Sequence, residues 1–342
     1  MAKAAGLVVG LGGASVGLAV LAARRQRELL DLSDRTALIT GGSRGLGLLI
    51  ARELIRQGCR RVAICARDLD QLGRAQELLS TEGVQVVALP CDVSDQQQVE
   101  HLIQQVEERL GAVDLLVNNA GVIHVGPQAA LTEADYREAL DIMFWGVLRP
   151  TLAVLPSMRR RNAGHIVNVT SIGGKISVPH LSAYSTAKFA AAGFSEGLHA
   201  ELAHEGIAVT TVVPGLMRTG SHLNAKFKAD ADYPLFALGA SLPGISMDAE
   251  RAARQIVAAA RRGAAEVILS LPAKMAVRVN GVAPAAVSRA FALVARVLPA
   301  APAQASPASS GRELEQRKPN AALHLATALS RNAAHRFNQV QP

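Results

Sequence analysis

Seven short, unbroken apolar runs recur along the chain with helix-period segments between them, and this alternation limits the fold more than any other feature. The runs cover residues 36–40, 61–66, 85–89, 114–118, 165–170, 209–213 and 266–269. Each is rich in β-branched residues and lacks polar alternation, as expected for strands buried on both faces. Between them lie segments such as 46–57, 95–109, 133–161 and 185–204, in which apolar residues recur at helical spacing. Strand–helix alternation of this kind predicts an α/β domain built on one doubly wound parallel sheet with right-handed crossovers. A single domain over residues 31–270 accounts for all of it. Its core must be aliphatic, because 49% of the 342 residues are hydrophobic while only 3% are aromatic.

The flanks differ from this domain. Residues 4–23 carry no charge, and Ser15 is their only polar side chain. Twenty helical residues span about 30 Å, the thickness of a bilayer's hydrocarbon core. Lys3 precedes the run and Arg24, Arg25 and Arg27 follow it, so residues 1–30 read as a membrane anchor with the main body on the cytoplasmic side. An in-plane or protein-packed helix, or a cleaved signal peptide, are the rival readings. Residues 271–299 are apolar and basic, with Lys274, Arg278, Arg289 and Arg296 interspersed. A helical extension lying on a membrane surface and one packed on the domain both fit. Residues 300–342 begin as a low-complexity linker and continue as a polar, basic tail, for which poor order is expected.

A net charge of +8 raises the question of nucleic acid, but the cations are scattered and no aromatic platform accompanies them. No nucleic-acid partner is expected. Cys59, Cys65 and Cys91 have neither metal-ligand spacing nor an even count. Buried, reduced thiols and no metal site are the expectation.

The first run leads into Thr40-Gly41-Gly42-Ser43-Arg44-Gly45-Leu46-Gly47 and then a helical segment. Glycines at such a turn permit a tight bend, close approach of backbone to a pyrophosphate, and close helix–strand packing. The following helix N-terminus offers N–H groups and a positive dipole end to phosphates. Alone, such a turn is a weak signal; between the first strand and first helix of a βαβ pattern it is much stronger. The Gly-x-x-x-Gly-x-Gly spacing resembles the fingerprint of the classical short-chain dehydrogenase/reductase family, and the resemblance extends over residues 34–270. It implies a Rossmann-type sheet of about seven strands, with Gly41, Ser43, Arg44, Gly45, Leu46 and Gly47 at the cofactor.

The second strand ends in Cys65-Ala66-Arg67. NAD enzymes place an acid near this point to bind the ribose 2′-hydroxyl. Ala66 stands there instead, and Arg67 with Arg44 can clamp a 2′-phosphate, so NADP(H) is the expected cofactor. Asp68 can in principle reach the ribose, but the family pattern does not place it there. The resemblance further implies adenine contacts from Asp92 and Val93, and cofactor contacts from Asn119, Ala120 and Gly121 within Asn118-Asn119-Ala120-Gly121. It puts Pro214 and Gly215 beside the nicotinamide and Thr219 on its carboxamide. For Asn118 a direct contact and a tie between strands both remain open.

Tyr184-Ser185-Thr186-Ala187-Lys188 matches the family's Tyr-x-x-x-Lys signature, and Ser171 lies 13 residues earlier at the end of a predicted strand. Residues i and i+4 share a helix face, so an ammonium can sit beside a phenol. The resemblance implies catalysis by Ser171, Tyr184 and Lys188. Ser171 would polarise a substrate carbonyl and Tyr184 would exchange the proton. Lys188 would lower the Tyr184 pKa and bind the nicotinamide ribose, so Tyr184 and Lys188 are cofactor contacts too. One position departs from the family: Met143 stands where an Asn often anchors a water that links the lysine to solvent. A thioether has no paired donor and acceptor.

These readings converge on an NADPH-dependent oxidoreductase interconverting a carbonyl and an alcohol. Leu216, Met217, Leu223, Phe227, Leu235, Phe236, Leu238, Leu242 and Ile245 make 216–246 an apolar covering segment and suggest a lipid-like substrate, unless they simply pack on the domain. A non-catalytic NADPH-binding interaction or sensor protein is the alternative. The resemblance also implies a homodimer or homotetramer formed through 133–161 and 185–204.

Overall fold

The computed structural model describes residues 29–302 and 307–340. The segment 4–23, read above as an anchor, lies outside them. Strands and helices alternate in the order β1 (Thr36–Thr40), α1 (Gly45–Arg56), β2 (Arg61–Ala66), α2 (Leu69–Leu79), β3 (Gln85–Pro90), α3 (Gln96–Leu110), β4 (Leu115–Asn118), α4 (Glu133–Arg161), β5 (Gly164–Val169), α5 (Ser182–Leu202), β6 (Ile207–Val213), α6 (Asp232–Gly239), α7 (Ala249–Arg261) and β7 (Glu266–Ile268). The strands form one seven-stranded parallel sheet in the order β3-β2-β1-β4-β5-β6-β7. The order reverses direction at β1, so the carboxyl ends of β1 and β4 flank a crevice where open α/β sheets bind ligands.

The aliphatic core divides between the two faces of the sheet. On one face Leu49, Ile50 and Leu54 of α1 meet Ala252, Ala253 and Ile256 of α7 over Ile39 and Ile64. On the other, Val99 and Leu102 of α3, Val154 and Met158 of α4, and Ala187 of α5 cover Leu38, Leu116 and Ile166. Alanines on α7 and α5 let these helices lie close to the sheet. Asp68, Asp95 and Asp248 start α2, α3 and α7 by accepting the N–H of Gln71, Gln98 and Arg251 at 2.8–3.1 Å. Such caps stabilise a helix by about 1 kcal/mol each.

α4 is the one helix among the described residues long and apolar enough to cross a membrane. Its Val147, Val154 and Met158 are buried in the protein, so its apolar character serves the core. It is not a uniform helix. A π turn at Asp141–Trp145 interrupts it, directly before Gly146. All three cysteines are buried and free.

Beyond β7 the structure departs from expectation twice. The 271–299 extension is two helices, α8 (Leu271–Val282) and α9 (Pro284–Ala295), rather than one. The break falls at Ala283 (φ −135°, ψ 59°), which the ring of Pro284 excludes from helical geometry. Among their side chains only Ala273 is buried. The polar tail, expected to be poorly ordered, is folded onto the domain. Ser309–Ser310 pairs antiparallel with Lys226–Phe227, and α10 (Gly311–Arg317), α11 (Ala321–Ala326) and α12 (Ala328–Arg336) follow. Composition misleads here because a few well-placed residues suffice. Leu314 joins a small core with Val125, Phe227 and Tyr233, and Phe337 enters the main one.

Candidate active site

The turn after β1 and the end of β4 are knitted together before any ligand is considered. Gly41 has φ +62°, and a Cβ there would come within 2.9 Å of Ala120 Cα. A Cβ on Gly47 would strike the Gly41 carbonyl oxygen, so this glycine lets α1 settle on the turn. Asn119 Nδ2 donates to the carbonyls of Thr40 and Gly41, both at 3.1 Å, while Thr40 Oγ1 accepts the N–H groups of Asn119 and Ala120. Asn118 takes the other role left open for it. Its Nδ2 donates to Thr151 Oγ1 at 3.0 Å and Asn168 Oδ1 at 2.9 Å, tying β4 to α4 and β5.

These ends open into a cleft of about 770 Å³. Gly41, Ser43, Arg44, Gly45 and Leu46 line it from the first turn, with Ala66, Arg67, Asp92 and Val93 from the ends of β2 and β3. Asn119, Ala120 and Gly121 form the floor, and Pro214, Gly215 and Thr219 the side beyond β6. Gly47 alone among the expected cofactor residues does not reach the cleft; its part is packing. Arg44 and Arg67 lie near enough that burial, and then the positive field of Arg67, hold the Arg44 guanidinium below its ordinary value. Arg67 pairs with Asp92 at 3.7 Å, and Arg44 donates to Asn224 Oδ1 at 3.3 Å. Asp68 is occupied as the cap of α2. Two adjacent cations facing a cleft suit a dianion better than a ribose hydroxyl.

Ser171, just past β5, and Tyr184 and Lys188, one turn apart on α5, line the same cleft. Ser171 Oγ accepts the Gly173 N–H at 3.0 Å and is hydrogen-bonded to the Tyr184 phenol. Lys188 Nζ donates to the Val169 carbonyl at 2.8 Å and stands 6.0 Å from the Tyr184 ring centre. Burial pushes the lysine down to about 8. Burial raises the phenol above its ordinary value, and the only opposing influence is the Ser171 hydrogen bond. Met143 sits in the π turn of α4, fully buried, with its Sδ against Gly121.

The apolar covering segment splits into parts. Leu216, Met217 and Phe236 line the cleft together with Ile142, Ile172, Val178 and Leu181. Phe227 instead packs in the small core with Val125 and Tyr233, and Leu223 is buried outside the cleft lining. Leu235, Leu242 and Ile245 are exposed. Three residues with no sequence signal also belong to the cleft: Gln71, Asn224 and Gln339. The last lies almost 300 positions from the glycine turn it touches, a distance no local pattern bridges.

The profile of the short chain dehydrogenase family matches residues 35–230. A dehydrogenase/reductase SDR family protein 7-like from Anopheles gambiae is 37% identical over 216 residues, which is 61% of this chain and 68% of that protein. Dehydrogenase/reductase SDR family member 7B from Danio rerio is 35% identical over 66% of this chain and 75% of its own length. Among solved structures, a short-chain dehydrogenase from Streptomyces avermitilis superposes with a TM-score of 0.65 at 32% identity, covering 78% of this chain and 99% of that one. An actinorhodin polyketide ketoreductase variant solved with NADPH gives 0.60 at 32% identity, covering 70% and 97%.

Proposed function

The chain belongs to the short chain dehydrogenase family, and from that premise we propose that it interconverts a carbonyl and an alcohol with NADP(H) on an apolar substrate. The observation that carries the reading is the convergence of Ser171, Tyr184 and Lys188 on the cleft whose far end holds Arg44 and Arg67. The residues fit a dinucleotide: Gly41 and Gly47 clear the backbone, and the paired arginines suit a 2′-phosphate. When bound, a reduced nicotinamide supplies the hydride to the carbonyl carbon.

The chain's own groups handle the oxygen. Ser171 accepts the Gly173 N–H and faces the Tyr184 phenol, and its proton turns from the phenol to a substrate oxygen placed between them. Tyr184 gives its phenolic proton to that oxygen in reduction and takes it back in oxidation. A phenol raised by burial is protonated at neutral pH, which suits the reductive direction. In oxidation the Lys188 ammonium and the positive nicotinamide ring stabilise tyrosinate. Ile142, Ile172, Val178, Leu181, Leu216 and Phe236 around this point favour an apolar, lipid-like carbonyl.

The test is consumption of NADPH and NADH against aliphatic, steroid, retinoid and quinone carbonyls by the full chain and by Tyr184→Phe. NADPH-dependent turnover lost in the Phe variant supports the reading. A preference for NADH would sink the arginine argument. Met143 favours one second reading, a binding or sensor protein that kept the cofactor and lost turnover. NADPH binding without oxidation of cofactor by any carbonyl would favour it.

The same proposal places the protein on a membrane, with the domain on the cytoplasmic side. The apolar run 4–23 and its arginine flank support this from sequence. So does the α8–α9 pair, which exposes Leu271, Met275, Val279, Val282, Leu293 and Val294. It carries four cations and no carboxylate between residues 271 and 299, the chemistry of a segment that meets an anionic lipid surface.

A further inference from the structure

We propose that the end of the chain, Phe337–Gln339, is a built-in wall of the cofactor site that sets the glycine turn and orients Arg44 toward a nucleotide 2′-phosphate. The second half of this inference rests on the NADP(H) reading; the first does not.

Polar residues at a chain end are normally solvated, yet Asn338 and Gln339 are each only 5% exposed and Phe337 2%. Burying two primary amides costs several hydrogen bonds to water unless the protein replaces them. Here it does so with atoms of the cofactor turn. Phe337 O accepts the N–H of Gly45 at 2.8 Å, which fills one of the free donors at the start of α1. Asn338 Nδ2 donates to the carbonyls of Ser43 at 2.8 Å and Gln71 at 3.0 Å, and its Oδ1 accepts from Arg74 Nε at 2.9 Å. Asn338 adopts φ +56°, a conformation that asparagine tolerates better than most residues. Two positions of the turn, Ser43 and Gly45, are therefore held by one short stretch of tail.

Gly45 also lies against the next tail residue. A Cβ there would lie 2.5 Å from Gln339 Nε2, the movable end of that side chain, while the φ of +55° is what calls for glycine. The Gln339 side chain then faces the cleft. Its Oε1 accepts from Asn224 Nδ2 at 2.8 Å, and Asn224 Oδ1 accepts from Arg44 Nη1 at 3.3 Å. Arg312 secures the Gln339 carbonyl at 3.0 Å. The line Gln339–Asn224–Arg44 is made of neutral amides. It aims a guanidinium without neutralising it, where a carboxylate would consume the charge that a phosphate needs. Gln339 and Asn224 are thus positioning residues.

The test uses the full chain and equilibrium binding of NADPH and NADH, followed by the fluorescence of the reduced cofactor. Three variants are compared: Gln339→Glu, Gln339→Ala, and a stop after Arg336, each checked for folding by thermal melting. Gln339→Glu should weaken NADPH at least tenfold and leave NADH within about twofold, because its carboxylate competes only with the 2′-phosphate. Gln339→Ala should reduce the NADPH preference by a smaller factor. Removal of 337–342 should weaken both cofactors tenfold or more in protein that still melts cooperatively. Equal effects of Gln339→Glu on the two cofactors, or none, would overturn the orienting role. Unchanged binding after truncation would overturn the turn-setting role. If the unaltered protein binds NADH as tightly as NADPH, the 2′-phosphate reading and the orienting role fail together. The truncation result then decides the rest alone.

Discussion

Lys188 Nζ is held by the carbonyl oxygen of Val169, 2.8 Å away, so the only buried ammonium of the cleft is anchored to the last residue of β5. This contact fixes the lysine where two demands oppose each other. Burial pushes its pKa down to about 8 and raises that of the Tyr184 phenol beside it. The stability of the site carries the cost of the desolvated ammonium.

That cost has a sign that can be measured. The folded-state pKa of Lys188 lies below the unfolded value near 10.5, so the unfolded chain binds more protons between the two. Stability contributed by this group therefore rises as pH rises from about 8 to 10.5. In Lys188→Met that gain is absent. Denaturant unfolding at pH 7, 8, 9 and 10 should show the unaltered protein improving relative to the variant across the upper half of the range. A difference that stays flat with pH would remove the desolvation argument.

Met143 can be exchanged for the residue the family often carries. It is fully buried against Gly121, so Met143→Asn loses apolar contacts and introduces an amide, at a cost of about 1–3 kcal/mol. If the thioether limits proton delivery to Lys188, kcat should rise severalfold despite the lower melting temperature. Lower stability with unchanged kcat would show that the relay runs by another route.

Gly47 and Gly58 offer a contrast in the same region. A Cβ at Gly47 would collide with the backbone of Gly41, whereas nothing lies within 4 Å of one at Gly58, which has φ +101°. Gly47→Ala should abolish tight NADPH binding by lifting α1 from the turn. Gly58→Ala should cost about 1 kcal/mol of stability through backbone strain alone and leave cofactor affinity within twofold. Titrating cofactor fluorescence in both variants checks the pair.

The exposed α8–α9 pair predicts a lipid dependence. A Val282→Cys variant labelled with an environment-sensitive dye should report an apolar surrounding when the full chain is on vesicles containing phosphatidylserine. A label at the exposed Leu78 of α2 should not. An α8 label that stays water-like on the vesicle, or is shielded equally without lipid, would point away from a membrane-facing surface.

Much of the sheet was legible because strands buried on both faces write themselves as unbroken apolar runs. The β1 and β2 bounds match those runs residue for residue, and the other five differ by no more than two residues at either end. The glycine turn and the Tyr184–Lys188 pair were legible for a similar reason: each is a local spacing with a local geometric consequence. The π turn in α4 was not, since apolar periodicity over 133–161 reads through it. Nor was the order of the tail, because average polarity says little about where Leu314 and Phe337 go.

From the sequence alone came the alternation that makes a parallel sheet, the glycine turn after β1, and the helix face shared by Tyr184 and Lys188. All depend on contacts within a few residues, where backbone geometry converts spacing directly into position. The tertiary structure decided what depends on distant segments meeting. It assigned Asn118 to Thr151 and Asn168, sent Phe227 into the small core away from the cleft, and buried the Tyr184 phenol enough to raise its pKa. It also brought Phe337 O to Gly45 N, a hydrogen bond whose partners are separated by nearly the whole domain. Such contacts are selected by packing of the complete fold, so they exist only once the sheet and its helices have placed both ends.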